Sequence, residues 1–472
     1  MKIHLIAVCG TGMGALALLL KAEGHYVTGS DANVYPPMSI QLRNAGVIIK
    51  EGYKSENLNP LPDIVIVGNA VSKTNPEVAK LLELNIPYIS FPSAVAKYFI
   101  KEKHTIVAAG THGKTTTTAL LSHILEVAGL SPGFLVGGVP LNFNTNARNG
   151  NGLYFVIEGD EYDTAFFDKE PKFLHYKPKS LLLTSVEFDH GDIYRDLKHL
   201  EESFSKLLGI INSDGFASLC IDYPSVVKLC KNIPFKFDTY GASSAKGNGR
   251  NHWSIGSFNF TPEITKFEIL RNGKLYLNAE THLFGRYNIL NIVGTVSIAS
   301  NLDISIDAVS EALYTFKGVK RRQEIIAAVN GVTFIEDFAH HPTAVKETIS
   351  AVKEKYKRSK IWAIFEPRSN TSRRNFFQKV YPDAFKDADA IVLADVYNKE
   401  LLKEEERLRP DLIVQELKKR GKEAYFFKNC DEIVLNIAER LNRDDIVLIM
   451  SNGGFNSIYT KLPDEVRKYA NS

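Results

Sequence analysis

The stretch GTHGKT at residues 110–115 combines the residue types that hold phosphate groups. Gly113, Lys114 and Thr115 match the end of the phosphate-loop pattern, whereas Ala108 occupies the place of its leading glycine. An apolar run precedes the stretch and a helical pattern follows it, so backbone N–H groups and the positive end of a helix would face the phosphates. The lysine would reach the β- and γ-phosphates, and the threonine hydroxyl would bind Mg²⁺. We therefore predict an ATP site, with a strand-to-helix turn that holds no ligand as the alternative.

Two acidic stretches follow apolar runs that we predict to be strands. IEGDEYD places Glu158 at the end of the first, and VEFDHGD places Asp189 and His190 at the end of the second. Ligands bind beyond the carboxyl ends of strands in open α/β sheets. Mg²⁺ prefers carboxylate oxygens, which suits Glu158, whereas a histidine ligand is less typical but acceptable for Mg²⁺ or Mn²⁺. Taken alone, His190 is more often a packed or surface histidine.

Gly10, Gly12 and Gly14 follow the first strand-like run and open a helical pattern. Their GxGxG spacing lacks the third glycine of the dinucleotide-binding fingerprint, since Ala15 stands there. Asp31 follows about twenty residues later, at the end of the second predicted strand, where a carboxylate can accept a hydrogen bond from a ribose hydroxyl. The pattern indicates a ligand with phosphates and a ribose and does not specify NAD. A structural turn without a ligand is the alternative.

The last third of the chain carries basic residues beside predicted strand ends. Arg321 and Arg322 precede IEDFAHHP, in which Asp337 ends a strand and two histidines stand before a helix. A guanidinium group binds two oxygens of a phosphate or carboxylate at once. FEPRSNTSRR at 365–374 places three arginines around a polar turn, and MSNGGF at 450–455 ends the last strand with a glycine pair. We predict a substrate carboxylate there, with a solvated basic turn as the alternative.

These residues lie in three segments that each alternate strand-like and helical patterns. Residues 1–103, 104–320 and 321–472 each predict parallel strands with helices between them. Within the central segment, FEILRNGKLYLNAE predicts a hairpin around Asn272 and Gly273. The glycine- and serine-rich stretch 239–257 predicts an exposed excursion. The predicted fold class is α/β.

Composition bounds the function. The chain has 472 residues, 44% of them hydrophobic, and a net charge of +3, which gives no reason to expect nucleic acid or a membrane as partner. The four cysteines form no CxxC pair, so neither a zinc ribbon nor a disulfide framework is indicated, and we expect free thiols in a reducing cytoplasm. Three glycines interrupt the apolar run in the first twenty residues, so we expect no export signal.

Taken together, GTHGKTTTT, RYNILN, KRRQE and DFAHHPTA resemble the Mur ligase family in order and spacing. The resemblance implies three domains: a Rossmann-like UDP-sugar-binding domain at 1–103, a P-loop ATP-binding domain at 104–320 and a Rossmann-like peptide-binding domain at 321–472. It implies that ATP phosphorylates a substrate carboxylate and that an amine attacks the acyl phosphate to form an amide bond. It also implies small-molecule substrates only, a cytoplasmic location, and a monomer or weak homodimer.

Within the family, four stretches resemble the member that joins L-Ala-γ-D-Glu-meso-diaminopimelate to UDP-N-acetylmuramate in peptidoglycan recycling. They are residues 29–42, 158–169 with 173–178, 365–374 and 450–455. The alternative is the member that joins L-alanine to the same nucleotide, which typically has a tyrosine in place of Phe338. Two other classes stay open at this point: a nicotinamide-dependent dehydrogenase that uses the N-terminal glycines, and an ATP-driven binding module.

The resemblance also implies roles for individual residues. The expected catalytic residues are Lys114 and His341, and the expected cofactors are ATP and Mg²⁺, with Mn²⁺ as an alternative. The expected metal ligands are Thr115, Glu158 and His190. The expected ATP-binding residues are Gly110, Thr111, His112, Gly113, Lys114, Thr115, Thr116, Asn288, Asn291, Arg322 and Asp337, although the histidine usual before the first asparagine is Tyr287 here. The expected UDP-sugar contacts are Gly10, Thr11, Gly12, Met13, Gly14, Asp31 and Asn69, and the expected peptide contacts are Arg368, Ser369, Asn370 and Arg374.

The phosphate-loop assignment predicts the effect of one substitution. Lys114→Ala removes the charge that faces the transferred phosphoryl group, and we expect it to abolish ligation while the fold stays intact. Phosphate release by the purified variant, beside circular dichroism of the same sample, measures both effects. Near-normal turnover would contradict the assignment.

Overall fold

The computed structural model describes residues 1–34, 38–244 and 247–469. The predicted excursion at 239–257 and the stretch 29–42 therefore each contain residues outside the described ranges. Within those ranges the chain forms three sheets of five, ten and six strands and one two-stranded ribbon. None of the described helices is both long and apolar enough to span a bilayer.

The N-terminal sheet is parallel throughout. Its strands are β1 (Lys2–Ile6), β2 (Tyr26–Asp31), β3 (Ile48–Glu51), β4 (Ile64–Val67) and β5 (Tyr88–Ser90). Their order is β3-β2-β1-β4-β5, so the chain reverses its direction of winding beside β1, at the crevice where such sheets bind ligands. The helices are α1 (Thr11–Ala22), α2 (Met38–Asn44), α3 (Pro76–Glu83) and α4 (Phe91–Val95), which continues as a π-helix over Ala96–Ile100.

The central sheet has a parallel core and an antiparallel extension. In chain order its first four strands are β6 (His104–Ala109), β7 (Gly133–Leu135), β8 (Ala147–Arg148) and β9 (Tyr154–Gly159). The separate ribbon follows, formed by β10 (Asp163–Ala165) and β11 (Asp168–Pro171). The sheet continues with β12 (Ser180–Leu183), β13 (Phe216–Cys220), β14 (Lys236–Gly241), β15 (His252–Phe260), β16 (Thr265–Arg271) and β17 (Lys274–Thr281). The spatial order is β17-β16-β15-β14-β13-β12-β6-β9-β7-β8, which places β6 between β12 and β9. The helices are α5 (Lys114–Val127), α6 (Leu197–Gly209), α7 (Pro224–Leu229), α8 (Arg286–Asn301) and α9 (Ile306–Thr315).

The C-terminal sheet has one antiparallel edge strand. Its strands are β18 (Glu324–Val329), β19 (Val332–Asp337), β20 (Ile361–Phe365), β21 (Ala390–Ala394), β22 (Glu423–Phe427) and β23 (Ile446–Met450), in the order β18-β19-β23-β20-β21-β22. Only β18 runs antiparallel to its neighbour among these described strands. The helices are α10 (Pro342–Lys355), α11 (Tyr381–Ala384), α12 (Pro410–Lys419), α13 (Cys430–Ile437) and α14 (Ile458–Lys468). Short 3₁₀ turns complete the described chain at Ser55–Leu58, Lys172–Tyr176, Cys230–Asn232, Asn375–Phe377, Lys399–Leu401, Glu404–Glu406, Ala438–Arg440 and Phe455–Ser457.

The two helices that start at the glycine turns of the predicted ligand sites have no side-chain cap. Asn75, Asp196 and Asn429 cap α3, α6 and α13 with side-chain oxygens. In contrast, α1 and α5 follow Gly10 and Gly113 and have no side-chain cap. A capping oxygen would occupy the first free N–H groups of a helix, so its absence at α1 and α5 leaves those groups available to a ligand.

The N-terminal and central sheets share one apolar core. α4 and its π-helical continuation contribute Phe91, Val95 and Phe99, which belong to the same buried cluster as Phe173 and Tyr176 of the central part. The ribbon β10–β11 also reaches over the N-terminal sheet. The Phe167 ring lies 4.8 Å from that of Tyr88, and Ser90 Oγ donates to Asp168 Oδ2 at 3.1 Å. The first two sheets are therefore joined by apolar packing and not only by the chain that connects them.

The α/β class and the three-sheet organisation predicted from the sequence are confirmed. The hairpin is confirmed as well, since Asn272 and Gly273 both have positive φ between β16 and β17. Two expectations are wrong. The excursion is shorter than predicted, because Tyr240 and Trp253 are buried in β14 and β15 at its ends. Asp189 and His190 do not end a strand either, because β12 ends at Leu183 and an extended loop carries them. The domain boundaries at 103/104 and 320/321 stay predictions.

One buried carboxylate organises the N-terminal sheet. Glu77, at the start of α3, has no exposed surface and accepts hydrogen bonds from Ser30 Oγ at 2.7 Å and Asn57 Nδ2 at 2.7 Å. His4 Nε2 lies 3.0 Å from Glu77 Oε2, and Lys54 N donates to Oε1 at 3.2 Å. Burial would raise the pKa of Glu77, but these donors lower it further than burial raises it. The carboxylate thus joins α3 to β1, to β2 and to the loop before β4.

Glu77→Gln should destabilise the protein by about 2–4 kcal/mol, because an amide cannot accept from all of these buried donors. Glu83→Gln is the matched control, since the Glu83 side chain is 65% exposed and pairs only with Lys80 among the described residues; it should cost less than about 0.5 kcal/mol. Urea unfolding of both variants measures the difference. Equal midpoints for the two variants would contradict the buried network.

Candidate active site

The phosphate loop joins β6 to α5 through two glycines with positive φ, Gly110 at 131° and Gly113 at 82°. A Cβ atom at Gly110 would lie 2.3 Å from Thr184 Oγ1, and one at Gly113 would lie 2.7 Å from Asn291 Oδ1. Thr111 N and His112 N donate to the backbone oxygen and the hydroxyl of Ser185, each at 2.9 Å. The loop is therefore held in place by the segment after β12 and tolerates no side chain at its two turning points.

Lys114 begins α5, and its ammonium group is buried. Nζ donates to Gly110 O at 2.7 Å and lies 2.8 Å from Glu161 Oε2. Glu161, whose side chain is fully buried, also lies 3.2 Å from His190 Nε2 through its other oxygen. Burial raises the pKa of Glu161 and lowers that of Lys114, but opposite charges outweigh burial at both groups. Lys114 and His190 lower the pKa of Glu161 to about 2, and Glu161, Asp160 and Glu158 raise that of Lys114. The Glu161 carboxylate thus contacts two predicted site residues, the catalytic lysine through one oxygen and the metal ligand His190 through the other.

A second carboxylate faces the threonine of the loop. Thr115 Oγ1 donates to Glu158 Oε1 at 2.9 Å, and Gly137 N donates to Glu158 Oε2 at 2.7 Å. Burial and the nearby Asp160 raise the pKa of Glu158 above its usual value. A divalent cation would relieve both effects, because it supplies positive charge to a buried, negatively charged set of oxygens. A hydroxyl and a carboxylate are oxygen donors of the kind that Mg²⁺ prefers, so Thr115 and Glu158 fit this ion.

An arginine from the C-terminal part of the chain reaches the same threonine. Arg322 Nη2 donates to Thr115 Oγ1 at 3.2 Å, and its guanidinium lies 4.8 Å from the centre of the Phe338 ring. Asp337, at the end of β19, accepts from Gln323 N and Ala339 N at 2.8 Å each, and burial raises its pKa. Asp337 therefore holds the turn from which Arg322 projects.

The two asparagines of α8 approach this turn and the phosphate loop. Asn288 Nδ2 donates to Gln323 Oε1 at 3.0 Å and to Phe284 O at 2.9 Å. Asn291 lies against Gly113, since a Cβ atom placed on that glycine would be 2.7 Å from Asn291 Oδ1. Both asparagines thus lie between the central and C-terminal sheets, beside the predicted phosphate site.

His341 caps α10, with Nδ1 accepting from Thr343 N at 3.2 Å. Its Nε2 lies 3.2 Å from Phe188 O, a carbonyl oxygen that only accepts, so Nε2 carries the hydrogen. Burial lowers the pKa of His341 to about 3, with the nearby His112 lowering it further. Both ring nitrogens are engaged in this arrangement. The side chain consequently positions α10, and Nδ1 can take up a proton or another ligand only after it releases Thr343 N.

The N-terminal residues predicted to bind a nucleotide sugar lie at one end of the site. Asp31 Oδ2 accepts from Cys9 N at 2.8 Å, so the carboxylate holds the turn before α1. Gly14 lies close to α2, since a Cβ there would be 2.3 Å from Met38 Sδ. Asn69 is exposed after β4. Thr11 lines the shared cavity, whereas the other residues of this predicted set do not.

The basic turn after β20 divides into two parts. Arg368 lines the cavity, lies 3.7 Å from the centre of the Tyr397 ring and approaches Glu366 within 3.5 Å. Arg374 instead pairs with Glu406, away from the cavity. Arg373 donates to Asn370 Oδ1 at 2.8 Å and, within the described ranges, forms no ion pair with a carboxylate. The structure thus brings Arg368 to the site, and it leaves Ser369, Asn370 and Arg374 outside the cavity lining.

A single cavity of about 1080 Å³ joins these parts. Residues of all three sheets or their loops line it. Of the residues predicted from the sequence, it is lined by Thr11, Thr111, His112, Gly113, Lys114, Thr115, Thr116, Glu158, His190, Asn288, Asn291, Arg322, Asp337, His341 and Arg368. The cavity is not lined by Gly110, Gly10, Gly12, Met13, Gly14, Asp31 or Asn69.

Two acidic residues of the site were not identified from the sequence. Glu161 stands three residues after Glu158 in the same acidic stretch, and Glu187 stands three residues before His190. The clustering of acids after two strands was the available signal. It did not indicate which carboxylate turns inward, because both residues lie in loops where the alternation of a strand no longer applies.

Comparison with known proteins places three family models along the chain. They are the Mur ligase family catalytic domain at residues 2–102, the Mur ligase middle domain at 108–299 and the Mur ligase glutamate ligase domain at 321–453. The chain is 36% identical, over 472 residues, to UDP-N-acetylmuramate–L-alanyl-γ-D-glutamyl-meso-2,6-diaminoheptandioate ligase of Escherichia coli (strain K12). That alignment covers 100% of this chain and 99% of the relative.

Two solved structures resemble the whole chain. One is a murein peptide ligase from Psychrobacter arcticus 273-4, with a TM-score of 0.73, 33% identity and 99% of each chain covered. The other is the UDP-N-acetylmuramate–alanine ligase MurC from Thermotoga maritima, with a TM-score of 0.81, 25% identity and 100% of each chain covered. Overall shape therefore does not separate the two kinds of relative, whereas sequence identity favours the first.

The Lys114–Glu161 pair changes the expectation that Lys114→Ala leaves the fold intact. Removal of the ammonium group leaves a fully buried carboxylate without its main partner, and we expect a loss of about 3–5 kcal/mol in the free energy of unfolding. Adding Glu161→Gln should recover part of this loss, because the side chain that lost its ammonium partner is then uncharged. Chemical denaturation of the single and double variants measures it.

Lys179→Ala is the control for this pair of variants, since Lys179 and Asp214 are 36% and 70% exposed. An exposed pair contributes less than about 1 kcal/mol. Equal stability of Lys114→Ala and the double variant would contradict a buried charge pair at this position.

Proposed function

The chain belongs to the Mur ligase family, which makes it an ATP-dependent ligase that forms amide bonds, and from this we propose that it joins the tripeptide L-Ala-γ-D-Glu-meso-diaminopimelate to UDP-N-acetylmuramate. The proposed role is the recycling of peptidoglycan fragments. The proposed domains are a nucleotide-sugar domain at 1–103, an ATP domain at 104–320 and a peptide domain at 321–472. ATP and nucleotide sugars are cytoplasmic metabolites, which supports a cytoplasmic location.

One observation carries the proposal. The cavity begins at Thr11, passes Lys114 and Thr115 and reaches Arg368, so it touches all three parts of the chain. Arg322 contacts Thr115 across the boundary between the second and third parts. A ligase of this kind must bring a nucleotide sugar, ATP and an amine to one point, and a cavity shared by three domains supports that requirement.

The first chemical step brings two anions together. The lactyl carboxylate of the sugar attacks the γ-phosphorus of ATP, the bond to the β-phosphate oxygen breaks, and an acyl phosphate and ADP result. Lys114 and Arg322 offset the repulsion and stabilise charge on the transferred group. Lys114 must exchange its contact with Glu161 for the phosphate, while His190 still faces that carboxylate. Bound Mg²⁺ would supply further positive charge to the phosphates. Thr115 and Glu158 are its proposed ligands, and His190 is a further one that would first have to release Glu161.

In the second step the peptide amine attacks the acyl carbon, phosphate leaves and the amine loses a proton. Acyl phosphates hydrolyse readily, so water must be excluded from the cavity. We propose that His341 contributes by positioning α10 at the edge of the site, since both its ring nitrogens are engaged. Its predicted role as proton acceptor would require Nδ1 to release Thr343 N first.

The choice of amine rests on sequence more than on shape. The relative from Escherichia coli whose name includes the tripeptide is 36% identical over the full chain. Arg368 stands at the cavity wall, where a guanidinium suits one of the several carboxylates of the tripeptide. The alternative is ligation of L-alanine, and the structural likeness to MurC keeps this alternative in the test.

Phosphate release distinguishes the two amines. Purified protein with UDP-N-acetylmuramate, ATP and Mg²⁺ should release phosphate when the tripeptide is added, and it should release at least tenfold less with L-alanine at the same concentration. Mass spectrometry of the nucleotide product should show the mass of the tripeptide conjugate.

Two controls accompany the assay. Omission of UDP-N-acetylmuramate should stop phosphate release, because the carboxylate is then missing; continued release would indicate an ATPase of another class. Full turnover with L-alanine alone would replace the proposed substrate by the alternative.

A further inference from the structure

His112, Glu187 and His341 form a cluster beside the phosphate loop. One potential ligand atom from each lies within 4.8 Å of the other two. His112 belongs to the loop, Glu187 to the segment after β12, and His341 to the start of α10. We propose that these three side chains form a binding site for a divalent transition-metal ion of the Zn²⁺ class, separate from the Mg²⁺ site at Thr115 and Glu158.

Two atoms of the cluster face each other without a hydrogen bond. His112 Nε2 and Glu187 Oε2 lie 3.0 Å apart, but their geometry is not that of an N–H···O bond. Both atoms are buried, and neither has a hydrogen-bond partner among the described residues. Buried polar atoms are nearly always paired, so two such atoms in contact without a well-formed hydrogen bond require an explanation. A shared cation provides one.

The third side chain already has the support that a metal ligand needs. A ligating imidazole usually donates its other nitrogen to a carbonyl or carboxylate, which sets its tautomer. His341 Nε2 contacts Phe188 O at 3.2 Å, which leaves Nδ1 as the ligand atom once it releases Thr343 N. Thr343 Oγ1 also donates to Glu187 Oε1 at 3.2 Å and so orients that carboxylate.

Two of the groups hold the protonation state that a metal requires. Metal ligands must be deprotonated. Burial lowers the pKa of His341 to about 3, so its imidazole is neutral at pH 7. Burial acts to raise the pKa of Glu187, but contact with His112 lowers it below its usual value, so the carboxylate is ionised.

The donor set selects the class of ion. Two imidazole nitrogens and one carboxylate suit Zn²⁺, Co²⁺, Ni²⁺ or Cu²⁺, whereas Mg²⁺ prefers oxygen alone. Metal–nitrogen bonds of about 2.0–2.1 Å in a tetrahedron place ligand atoms about 3.4 Å apart. The cluster, at up to 4.8 Å, must therefore contract by a little over 1 Å. Three protein ligands leave the fourth position to water.

Occupancy would tie two parts of the chain together. His112 and Glu187 come from the central part and His341 from the C-terminal part, on either side of the nucleotide cavity. A bound ion would hold α10 against the phosphate loop and oppose the opening that substrate entry and product release require. The site would thus act as an inhibitory clamp on the ligase.

Cobalt titration of the full-length protein, without nucleotide, tests the site. We expect one equivalent of Co²⁺ to bind with the visible absorption of a four- or five-coordinate ion. Zn²⁺ should displace it, and millimolar Mg²⁺ should not. His112→Asn, Glu187→Gln and His341→Asn should each weaken binding at least tenfold. The control His282→Asn, an exposed histidine outside the cluster, should leave it unchanged.

Several results would overturn the proposal: no Co²⁺ binding, displacement by Mg²⁺, or unchanged affinity in the three cluster variants. Asparagine at position 341 retains a helix cap, so loss of folding is not expected to mask that result. If a variant fails to fold, zinc-edge anomalous diffraction from crystals of the unmodified protein decides. A peak among the three side chains supports the site, and peaks only elsewhere refute it.

Discussion

Glu161 lies between Lys114 and His190 with no exposed side-chain surface, and the charges on its two sides keep it ionised where an isolated carboxylate would take up a proton. The same contacts fix the lysine at the start of α5 and the histidine in a loop that has no strand to hold it. In a low-dielectric setting such a pair is stable only while both members are present. Phosphate binding must therefore replace one half of this arrangement while the other half stays in place.

The loop from Glu187 to Asp192 is the main polar contact between the central and C-terminal sheets. Phe188 O faces His341, His190 N donates to Thr371 Oγ1 at 3.0 Å, and Asp192 accepts from Asn370 at 2.9 Å. His190 has a φ of 56°, in the left-handed region that a non-glycine residue adopts only when its surroundings impose it. The loop that carries a proposed metal ligand is thus shaped by the neighbouring domain.

Much of the scaffold could be predicted from the sequence because short apolar runs, glycines and strand-to-helix turns act locally. β2 matches YVTGSD and β19 matches VTFIED residue for residue. β18 was missed because QEIIAAV forms an antiparallel edge whose exposed face shows no strong alternation. In the site, Lys114 follows a strand and Glu158 lies near the end of one, so both could be identified from the sequence. Glu161 could not, because its role depends on the distance between two loops that no local pattern encodes.

Arg374 illustrates the same limit in the basic turn, since only the fold shows that Glu406 neutralises it. His341 illustrates this limit for the prediction of catalytic roles. The family resemblance implied a catalytic role, and in this structure the ring caps α10 through one nitrogen and faces Phe188 O through the other. The residue type limits the roles that a side chain can have, and its contacts in the fold determine which of those roles it has.

The apolar core that α4 shares with the central part sets how the molecule can move. Separating those two parts would expose Phe91, Val95 and Phe99 to water, at roughly 25 cal/mol for each Å². The C-terminal part meets the central one through hydrogen bonds and a smaller apolar contact, in which Phe284 is buried in the C-terminal core with Phe260 and Tyr287 packed against it. Hydrogen bonds exchange with water at small net cost. Thermal motion therefore falls unevenly across the chain. We expect movement between parts of the chain to occur mainly between the central and C-terminal parts, while the first two stay packed together.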